Sequence, residues 1–256
     1  MKYFSFKSSI ILFLMVLLLF SCASRKDVVY YQDIDSITNQ EKTNSYEVKI
    51  QADDLLMITV FGEDPEIALP FNLKSPTVSA SSGGQSPLSY LVDANGTIDF
   101  PVLGSLKVSG LTRSEMLKML QDKIKVYIKN PIINLQITNF KVSVQGEVNA
   151  PGTYPIASNR ITLIEALTMA RDLTIYGKRN NILIIREVDG VKSYNRVDIT
   201  KAGFINSPFY YLAQNDVIYV EPNKSKIGAA AVGPSTGLIF SVTSLLIAVI
   251  TLIIRL

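Results

Sequence analysis

The side chains with the most capacity for chemistry in this sequence are a single cysteine and a few clustered carboxylates. The chain has no histidine, which excludes a Ser-His-Asp triad, a Cys-His pair and a metal site with imidazole ligands. Paired carboxylates serve as acid and base in glycosidases, and the candidates here are Asp53-Asp54, and Glu63-Asp64 with Glu66. The second group lies beside glycine and proline, where acids commonly stabilise turns. We therefore predict that the protein is not an enzyme and holds no metal and no cofactor.

The single cysteine, Cys22, ends a segment with the layout of a secretory signal peptide. A short basic region precedes an apolar stretch over residues 9–20, which is too short to span a bilayer comfortably. LFSC at 19–22 resembles a bacterial lipobox, in which the cysteine is acylated on sulfur and becomes the new N-terminus, although Phe20 replaces the usual small residue. We predict a signal peptide over 1–21 and lipidation at Cys22. The alternative is an uncleaved helix with an incidental cysteine.

The residues after Cys22 bear on where the protein is sorted. Ala23-Ser24 include no aspartate that would signal retention at the inner membrane. We therefore expect a lipid-anchored protein of the bacterial outer membrane, with its body in the periplasm. Residues 22–45 are polar and are predicted to form a lipid-anchored tether, with a short strand at 28–31.

The last twenty residues, GLIFSVTSLLIAVITLIIRL, are almost wholly apolar. As a helix with a rise of about 1.5 Å per residue, this segment would be about 30 Å long, which matches the hydrocarbon core of a bilayer. We therefore predict a transmembrane helix over 237–256, preceded by a linker over 223–236.

Small or polar residues recur along this segment at spacings of four, three, four, three and four, which places them on one helical face. Such a face lets helices approach closely or lines a wet lumen. In the alternative interpretation, the hydroxyls bond to their own backbone in an ordinary anchor. The pore-lining or helix-packing candidates are Gly237, Ser241, Ser244, Ala248, Thr251 and Arg255.

The region between the two ends divides into two units. In the first, over 46–138, alternating residues predict a strand at 46–51, an apolar run predicts another at 55–61, and Asn95-Gly96 predicts a hairpin turn. A helix is predicted after Thr112, because a glutamate three residues later completes a capping box.

The second unit, over 139–222, has a similar content. Thr162 and Glu165 form another capping box at the start of a predicted helix, and Asp189-Gly190 predicts a tight hairpin between two apolar strands. Each unit mixes short strands with one capped helix. The fold class is therefore α+β, with two small mixed α/β domains followed by the transmembrane helix.

The charge balance excludes one class of partner. The chain has 25 basic and 22 acidic residues, and cleavage before Cys22 would remove Lys2 and Lys7 and leave 23 basic residues. A nearly neutral mature chain has no basic excess for binding nucleic acid.

Four phrases, in order and at matching spacing, resemble the polysaccharide export family of outer-membrane lipoproteins. YEVKIQADDLLMITVFGEDP at 46–65 and VDANGTIDFPVLGSLKVSGLT at 92–112 resemble its polysaccharide export domain. VSVQGEVNAPGTYPI at 142–156 and ITLIEALTMARDLT at 161–174 are similar to a soluble ligand-binding β-grasp domain. Together the two domains would cover residues 46–222.

This resemblance implies a homo-oligomeric ring that exports capsular polysaccharide or exopolysaccharide. It implies a chamber of stacked periplasmic domains, a C-terminal helical barrel through the outer membrane, and an inner-membrane copolymerase of the tyrosine-kinase type as partner. The chain departs from some relatives in having one β-grasp domain instead of two, and its last helix is more apolar than a barrel stave.

Two other interpretations stay open. The first is a saccharide-binding or scaffold lipoprotein without a pore, which docks to an inner-membrane polysaccharide assembly complex. The second is a periplasmic glycan hydrolase, which the sequence supports only through the carboxylates above.

Overall fold

The computed structural model describes residues 25–36, 46–73, 88–188, 190–231 and 234–255. These residues form two hydrophobic cores, each shared by a β-sheet and one helix. The predicted signal peptide and its cysteine lie outside the described residues.

The first unit consists of an antiparallel sheet, a separate hairpin and one long helix. Its strands are β1 (Leu55–Phe61), β2 (Tyr90–Leu91), β3 (Thr97–Phe100), β4 (Gly104–Lys107) and β5 (Ile132–Ile137). Its helices are α1 (Pro65–Ala68), a 3-10 turn (Leu69–Phe71) and α2 (Arg113–Ile124). The sheet has the order β2-β1-β5, and β3 pairs with β4.

The capping box predicted at the start of α2 is confirmed. The Glu115 backbone N–H donates to Thr112 Oγ1 at 3.2 Å, and the Thr112 N–H donates to Glu115 Oε2 at 2.8 Å. The helix turns one apolar face towards β5, as the 3.6-residue period of its apolar residues predicts. The buried residues on this face are Met116, Leu120 and Ile124.

The second unit is a five-stranded mixed sheet covered by a short helix. Its strands are β6 (Lys141–Gly146), β7 (Gly152–Pro155), β8 (Gly177–Val188), β9 (Val191–Val197) and β10 (Val217–Pro222). Its helix is α3 (Leu163–Met169), and a 3-10 helix (Ala202–Asn206) lies between β9 and β10. The order is β7-β6-β10-β8-β9, in which β6 and β10 are parallel and the other neighbours antiparallel.

The second predicted capping box is also confirmed. Glu165 N–H donates to Thr162 Oγ1 at 3.2 Å, and Thr162 N–H donates to Glu165 Oε2 at 2.7 Å. The helix that begins there, α3, buries Leu163, Ala166 and Leu167 in the core of the second unit.

The two hairpin predictions have different outcomes. Strands β8 and β9 pair as far as Val188 and Val191, so the hairpin predicted at Asp189-Gly190 is confirmed. At Asn95-Gly96 a turn forms, closed by a bond from Gly96 N–H to Asp93 O at 2.8 Å. The strands beside that turn pair elsewhere, β2 with β1 and β3 with β4, so the hairpin prediction is wrong there.

Residues 46–51 do not form the predicted strand; Lys49 makes only an isolated bridge to Thr112. The apolar alternation is real, but its members serve different cores: Val48 lies in the second core and Ile50 in the first. This segment therefore crosses from one unit to the other, and it cannot run along a single sheet.

Residues 25–36, which we call the strap, lie against the second unit. The strap contains two 3-10 helices, Arg25–Asp27 and Ile34–Ser36, and no strand at the predicted place. Tyr31 N–H donates to Ile199 O at 3.3 Å, and Gln32 N–H donates to Thr200 O at 2.8 Å. This part of the predicted tether is thus bound to the folded body.

One asparagine joins the two units. Asn139 Oδ1 accepts from Leu55 N–H at 2.9 Å, and its Nδ2 donates to Asp53 O at 2.8 Å, both in the first unit. On the other side, Gln214 Nε2 donates to Asn139 O at 2.9 Å, and Lys141 N–H donates to Gln214 Oε1 at 2.8 Å. We call this set of bonds the Asn139 clamp.

Asp54 is fully buried beside the clamp. Its Oδ2 accepts from Gln51 N–H at 2.8 Å, while Oδ1 has no hydrogen-bond partner within the described part of the chain. Burial disfavours the charged form and raises the pKa of Asp54 from 3.8 to about 6, against the opposing effect of the Gln51 bond.

Two helices follow the second unit: α4 (Lys224–Ala231), within the predicted linker, and α5 (Pro234–Arg255). The prediction of a C-terminal transmembrane helix over 237–256 is wrong. A helix forms there, but in the part of the chain that the structure describes no helix is both long enough and apolar enough to cross a membrane. The fold therefore consists of two mixed α and β units followed by the helices α4 and α5.

Arg186 and Asp216 form a buried ion pair between β8 and the loop before β10. Arg186 Nη2 lies 2.7 Å from Asp216 Oδ2, and the side chains are 14% and 0% exposed. Burial raises the pKa of the Asp216 carboxyl, and the bonds from Arg186 act against that shift.

We predict that Arg186→Met lowers the free energy of unfolding by roughly 3–5 kcal/mol, because it leaves a buried carboxylate without its partner. Urea denaturation of the full-length protein measures this change. Lys125→Met is the matched control, since its pair with Asp122 is solvent-exposed and should contribute nothing measurable. Equal stability of the two variants would contradict the prediction.

We predict that Asp54→Asn becomes more stable relative to the wild type as the pH rises from 4 to 7. A raised pKa means that the folded wild type binds the proton more tightly than the unfolded chain, and this contribution is lost as the pH passes about 6. Thermal unfolding at several pH values gives the difference. Asp53→Asn, an exposed neighbour, controls for the loss of one charge; parallel curves for Asp54→Asn and the wild type would contradict the assignment.

Candidate functional site

A cleft of about 890 Å³ opens between the two units and is lined by both. The first unit contributes the loop around Asp53, the turn at Asn95-Gly96 and the end of β4. The second unit contributes the β8–β9 hairpin and the turn at Asn215. This volume is in the range that holds a small organic ligand or a short stretch of a polymer.

The wall from the first unit is a tightly bonded turn. The Asp93 carboxylate accepts bonds from Thr97 N–H and Thr97 Oγ1, both at 2.8 Å, and the bond from the Thr97 backbone is the main reason that the pKa of Asp93 lies below its usual range. Gly96 has φ +73°, and a Cβ there would lie 2.0 Å from Ser109 Oγ. Only glycine fits this position, because both the backbone angle and the contact exclude a side chain.

One lysine of this wall faces the cleft with its position fixed. Lys107 Nζ donates to the carbonyl oxygen of Asn95, which ties the end of β4 to the turn. Val108 N–H and Ser109 N–H both donate to Gly96 O, at 2.9 and 3.0 Å. The donors and acceptors on this side are therefore held by the backbone and do not need a ligand to be ordered.

The wall from the second unit is the β8–β9 hairpin. Tyr194 stands opposite Ile185, and Lys192 stands opposite Glu187, in the antiparallel register. Lys192 Nζ lies 3.6 Å from Glu187 Oε2. Tyr194 is 65% exposed, so its ring is available for contact with a ligand.

The cleft is balanced in charge and rich in hydrogen-bonding groups. Two lysines, Lys107 and Lys192, are matched by two carboxylates, Asp53 and Glu187. Amide and hydroxyl groups and one aromatic ring complete the lining. Such a surface offers both donors and acceptors without a net charge, and it therefore suits a ligand with many hydroxyls better than a polyanion.

The predicted residues of the C-terminal face lie on α5 and do not line the cleft. Three of their hydroxyls bond to backbone carbonyls of the same helix: Ser241 Oγ to Gly237 O at 2.9 Å, Ser244 Oγ to Ser241 O at 2.9 Å, and Thr251 Oγ1 to Ile247 O at 2.6 Å. The hydroxyls thus bond to the backbone of their own helix, as the alternative interpretation of this face expected. Ala248 and Arg255 belong to the same helix.

The predicted carboxylates are separated by the fold. Asp53 is exposed at the cleft, whereas Asp54 is buried beneath it. Asp64 caps α1 by accepting from Glu66 N–H at 2.9 Å, which is the turn-stabilising role expected for this group. Within the described residues, no group of acidic side chains could hold a metal ion. Cys22 lies outside the described residues.

No pattern in the sequence predicts the cleft. Asp53, Lys107 and Tyr194 are far apart along the chain and carry no shared motif. Among the described residues, four lining positions have left-handed backbone and mark the turns around the cleft: Asp53 (φ 67°), Gly96 (φ 73°), Gly190 (φ 76°) and Asn215 (φ 64°).

Comparison with known protein families gives two matches in succession. Residues 42–138 match the family described as polysaccharide biosynthesis/export protein, and residues 140–220 match the SLBB domain. The boundary between the matches falls at Asn139, where the clamp joins the two units.

Comparison with characterised proteins gives three relatives. The "EPS I polysaccharide export outer membrane protein EpsA" of Ralstonia nicotianae is 32% identical over 146 residues, which are 54% of this chain and 38% of the relative. The protein of the same name from Ralstonia solanacearum is 28% identical over 200 residues, 73% of this chain and 52% of the relative. The "Exopolysaccharide production protein ExoF" of Rhizobium meliloti is 30% identical over 88 residues, 33% of this chain and 21% of the relative.

The chain thus spans about half or less of the length of these relatives. The similarity nevertheless falls on the part that carries both domain matches. The export domain and the SLBB domain follow each other in this order, and export proteins are among the relatives, so residues 42–220 are similar to the polysaccharide export proteins.

Proposed function

We propose that this protein is the outer-membrane component of a machine that exports capsular polysaccharide or exopolysaccharide. The observation that carries the proposal is the succession of an export domain and an SLBB domain over residues 42–220. The Ralstonia relatives of this region are named as outer-membrane proteins of polysaccharide export. The family is one of transport components, so we propose no enzymatic activity.

A polysaccharide needs a hydrated path, because each hydroxyl moved unpaired into an apolar phase costs roughly 2–7 kcal/mol. We propose that several copies form a ring around such a path. The export domain at 46–138 and the β-grasp domain at 139–222 would build its periplasmic wall. The partner at the inner membrane would be a copolymerase of the tyrosine-kinase type, as the family resemblance implies.

The two ends of the chain would hold the assembly together. We propose that residues 1–21 are removed and that Cys22 carries the acyl chains, each buried CH₂ of which contributes about 0.8 kcal/mol. For the face of α5 that carries Gly237, Ser241 and Ser244, we propose the helix-packing role. Small side chains there would allow the helices of neighbouring copies to approach closely.

A non-pore lipoprotein that binds saccharide or serves as a scaffold is the second candidate function. It is favoured by one observation: the cleft offers a binding surface that needs no ring around it. Such a protein would dock to an inner-membrane polysaccharide assembly complex. Membrane fractionation, together with the native mass of the detergent-solubilised protein, separates the two functions: outer-membrane rings support the conduit, and inner-membrane monomers support the scaffold.

In both functions we propose that the cleft contacts the sugar chain. Hydroxyls of the polymer would pair with Asp53, Asn95 and Lys107 on one wall. On the other wall, the exposed ring of Tyr194 would pack against the apolar face of a sugar ring.

We predict that a strain without this protein loses extracellular polysaccharide, and that the wild-type gene restores it. Tyr194→Ala should restore several-fold less, because it removes the only aromatic ring in the lining of the cleft. Extracted polysaccharide, normalised to cell mass and to protein level, is the measurement. Val191→Ala, an exposed change on the same strand outside the lining, is the control and should restore export fully. Full export with Tyr194→Ala would remove the cleft from the path, and undiminished polysaccharide without the protein would overturn the function.

We predict that Cys22→Ala shifts the protein away from the outer membrane, because the substitution removes the site of acylation. Separation of inner and outer membranes followed by immunoblotting measures the shift. Ser21→Ala, which keeps both the cysteine and a small residue before it, should leave the distribution unchanged. If Cys22→Ala fractionates like the wild type, the lipidation proposal is refuted.

A further inference from the structure

The strap and the start of α4 meet at one end of the second unit and form a shallow depression. Its lining combines the strap at 27–28, the chain entering β8 at 175–178, and the beginning of α4 at 223–225. Asn223 N–H donates to Tyr176 O at 2.7 Å, which fixes α4 against this segment. We call the surface around this depression the basal surface.

Large apolar side chains are exposed on the basal surface. Ile175 is 60% exposed, Tyr176 is 42% exposed and Ile227 is 56% exposed. Lys226 Nζ lies 5.3 Å from the centre of the Tyr176 ring, and Ile227 follows Lys226 in α4. Isolated apolar residues on a surface need no explanation, but three in one region, with a cation among them, indicate a contact with something amphipathic.

The same surface carries an excess of positive charge. Its acidic groups are Asp27, Glu147 and Glu221, and two of these are occupied by lysines of the surface: Lys178 lies 3.0 Å from Glu221 and Lys226 lies 3.7 Å from Glu147. The cations of the surface are Arg25, Lys26, Lys178, Arg196, Lys224 and Lys226, which outnumber the acids by six to three. An anionic partner therefore fits better than a neutral one.

The position of Cys22 indicates which anionic partner is in reach. Arg25 is the third residue after Cys22, so fully extended chain separates them by at most about 11 Å. The strap is tied to the second unit by Tyr31 N–H and Gln32 N–H, which donate to the loop after β9, and the bond from Val28 N–H to Arg25 O closes the first turn of the strap itself. Acyl chains at Cys22 would consequently bring the basal surface close to the lipid headgroups.

We propose that the basal surface binds the anionic headgroup layer of the membrane in which Cys22 is anchored, with Tyr176 and Ile227 inserted at the headgroup level and Lys224 and Lys226 beside lipid phosphates. The proposal rests on the lipid anchor proposed above. Tyrosine and lysine suit this position, because each has an apolar body and a polar end. The second unit would then lie against the membrane with a fixed orientation.

The chain has no tryptophan, so a single introduced one reports its own surroundings. We would reconstitute the full-length Tyr176→Trp protein into vesicles of phosphatidylethanolamine and phosphatidylglycerol with brominated acyl chains. Only protein that floats with the vesicles is measured. Tyr127→Trp is the matched control, since Tyr127 is also an exposed tyrosine, 54% exposed, but lies in the first unit. We expect blue-shifted emission and at least two-fold quenching for Tyr176→Trp, and neither for Tyr127→Trp.

The charge contribution is tested in the same vesicles. Replacing phosphatidylglycerol by phosphatidylcholine, or adding Lys224→Glu with Lys226→Glu to the Tyr176→Trp protein, should at least halve the quenching. Equal emission from Tyr176→Trp and Tyr127→Trp would overturn the proposal, and so would quenching that is insensitive to both changes. The experiment needs no polysaccharide, so failure of the membrane-binding proposal is distinguishable from failure of the export function. Mass spectrometry of the purified N-terminus reports acylation of Cys22 separately, so it is also distinguishable from failure of the lipid anchor.

Discussion

Asn139 is the residue that turns two small sheets into one body. Its side chain bonds to Leu55 and Asp53 on the first unit, and its carbonyl accepts from Gln214 on the second. Only three residues separate the end of β5 from the start of β6, so the connection is too short to allow free movement. Hydrogen bonds hold the chain on both sides of this short connection. The two units therefore have little freedom to rotate, and the space between them has a defined shape.

The cleft follows from this junction. Its walls come from different units, and Asp53, which lies in the lining, is also the residue whose carbonyl the clamp holds. Each wall is internally bonded, one by the Asp93 carboxylate and the other by the β8–β9 pairing. The arrangement is unfavourable at Asp54, whose carboxyl is buried at the junction and has one oxygen without a hydrogen-bond partner among the described residues. Burial raises the pKa of this carboxyl to about 6, so the stability of the folded chain depends on pH through Asp54.

Local rules predicted the parts of the fold that are set by neighbouring residues. Both capping boxes formed because a threonine and a glutamate three residues apart satisfy each other's backbone, and the turn after Val188 formed because its sequence suits a tight hairpin. Tertiary packing decided the rest. Val48 and Ile50 alternate like strand residues, yet they enter separate cores. The C-terminal apolar run forms a helix, but among the described residues no helix is long and apolar enough to cross a membrane. The cleft depends on residues 53, 107 and 194, which no pattern links in the sequence.

The two proposed contact surfaces lie at opposite ends of the same strand. β8 begins at Gly177, beside the basal surface, and passes Ile185, which lines the cleft. Eight residues of strand separate these positions, which at about 3.3 Å per residue places the surfaces roughly 26 Å apart. Because the strap is bonded to this unit, a lipid-anchored Cys22 would hold the cleft at that distance from the headgroups, on the side away from the lipid. If the cleft contacts the sugar chain as proposed, a chain that arrives through the periplasm would meet the charge-balanced cleft before it reached the basic surface at the membrane.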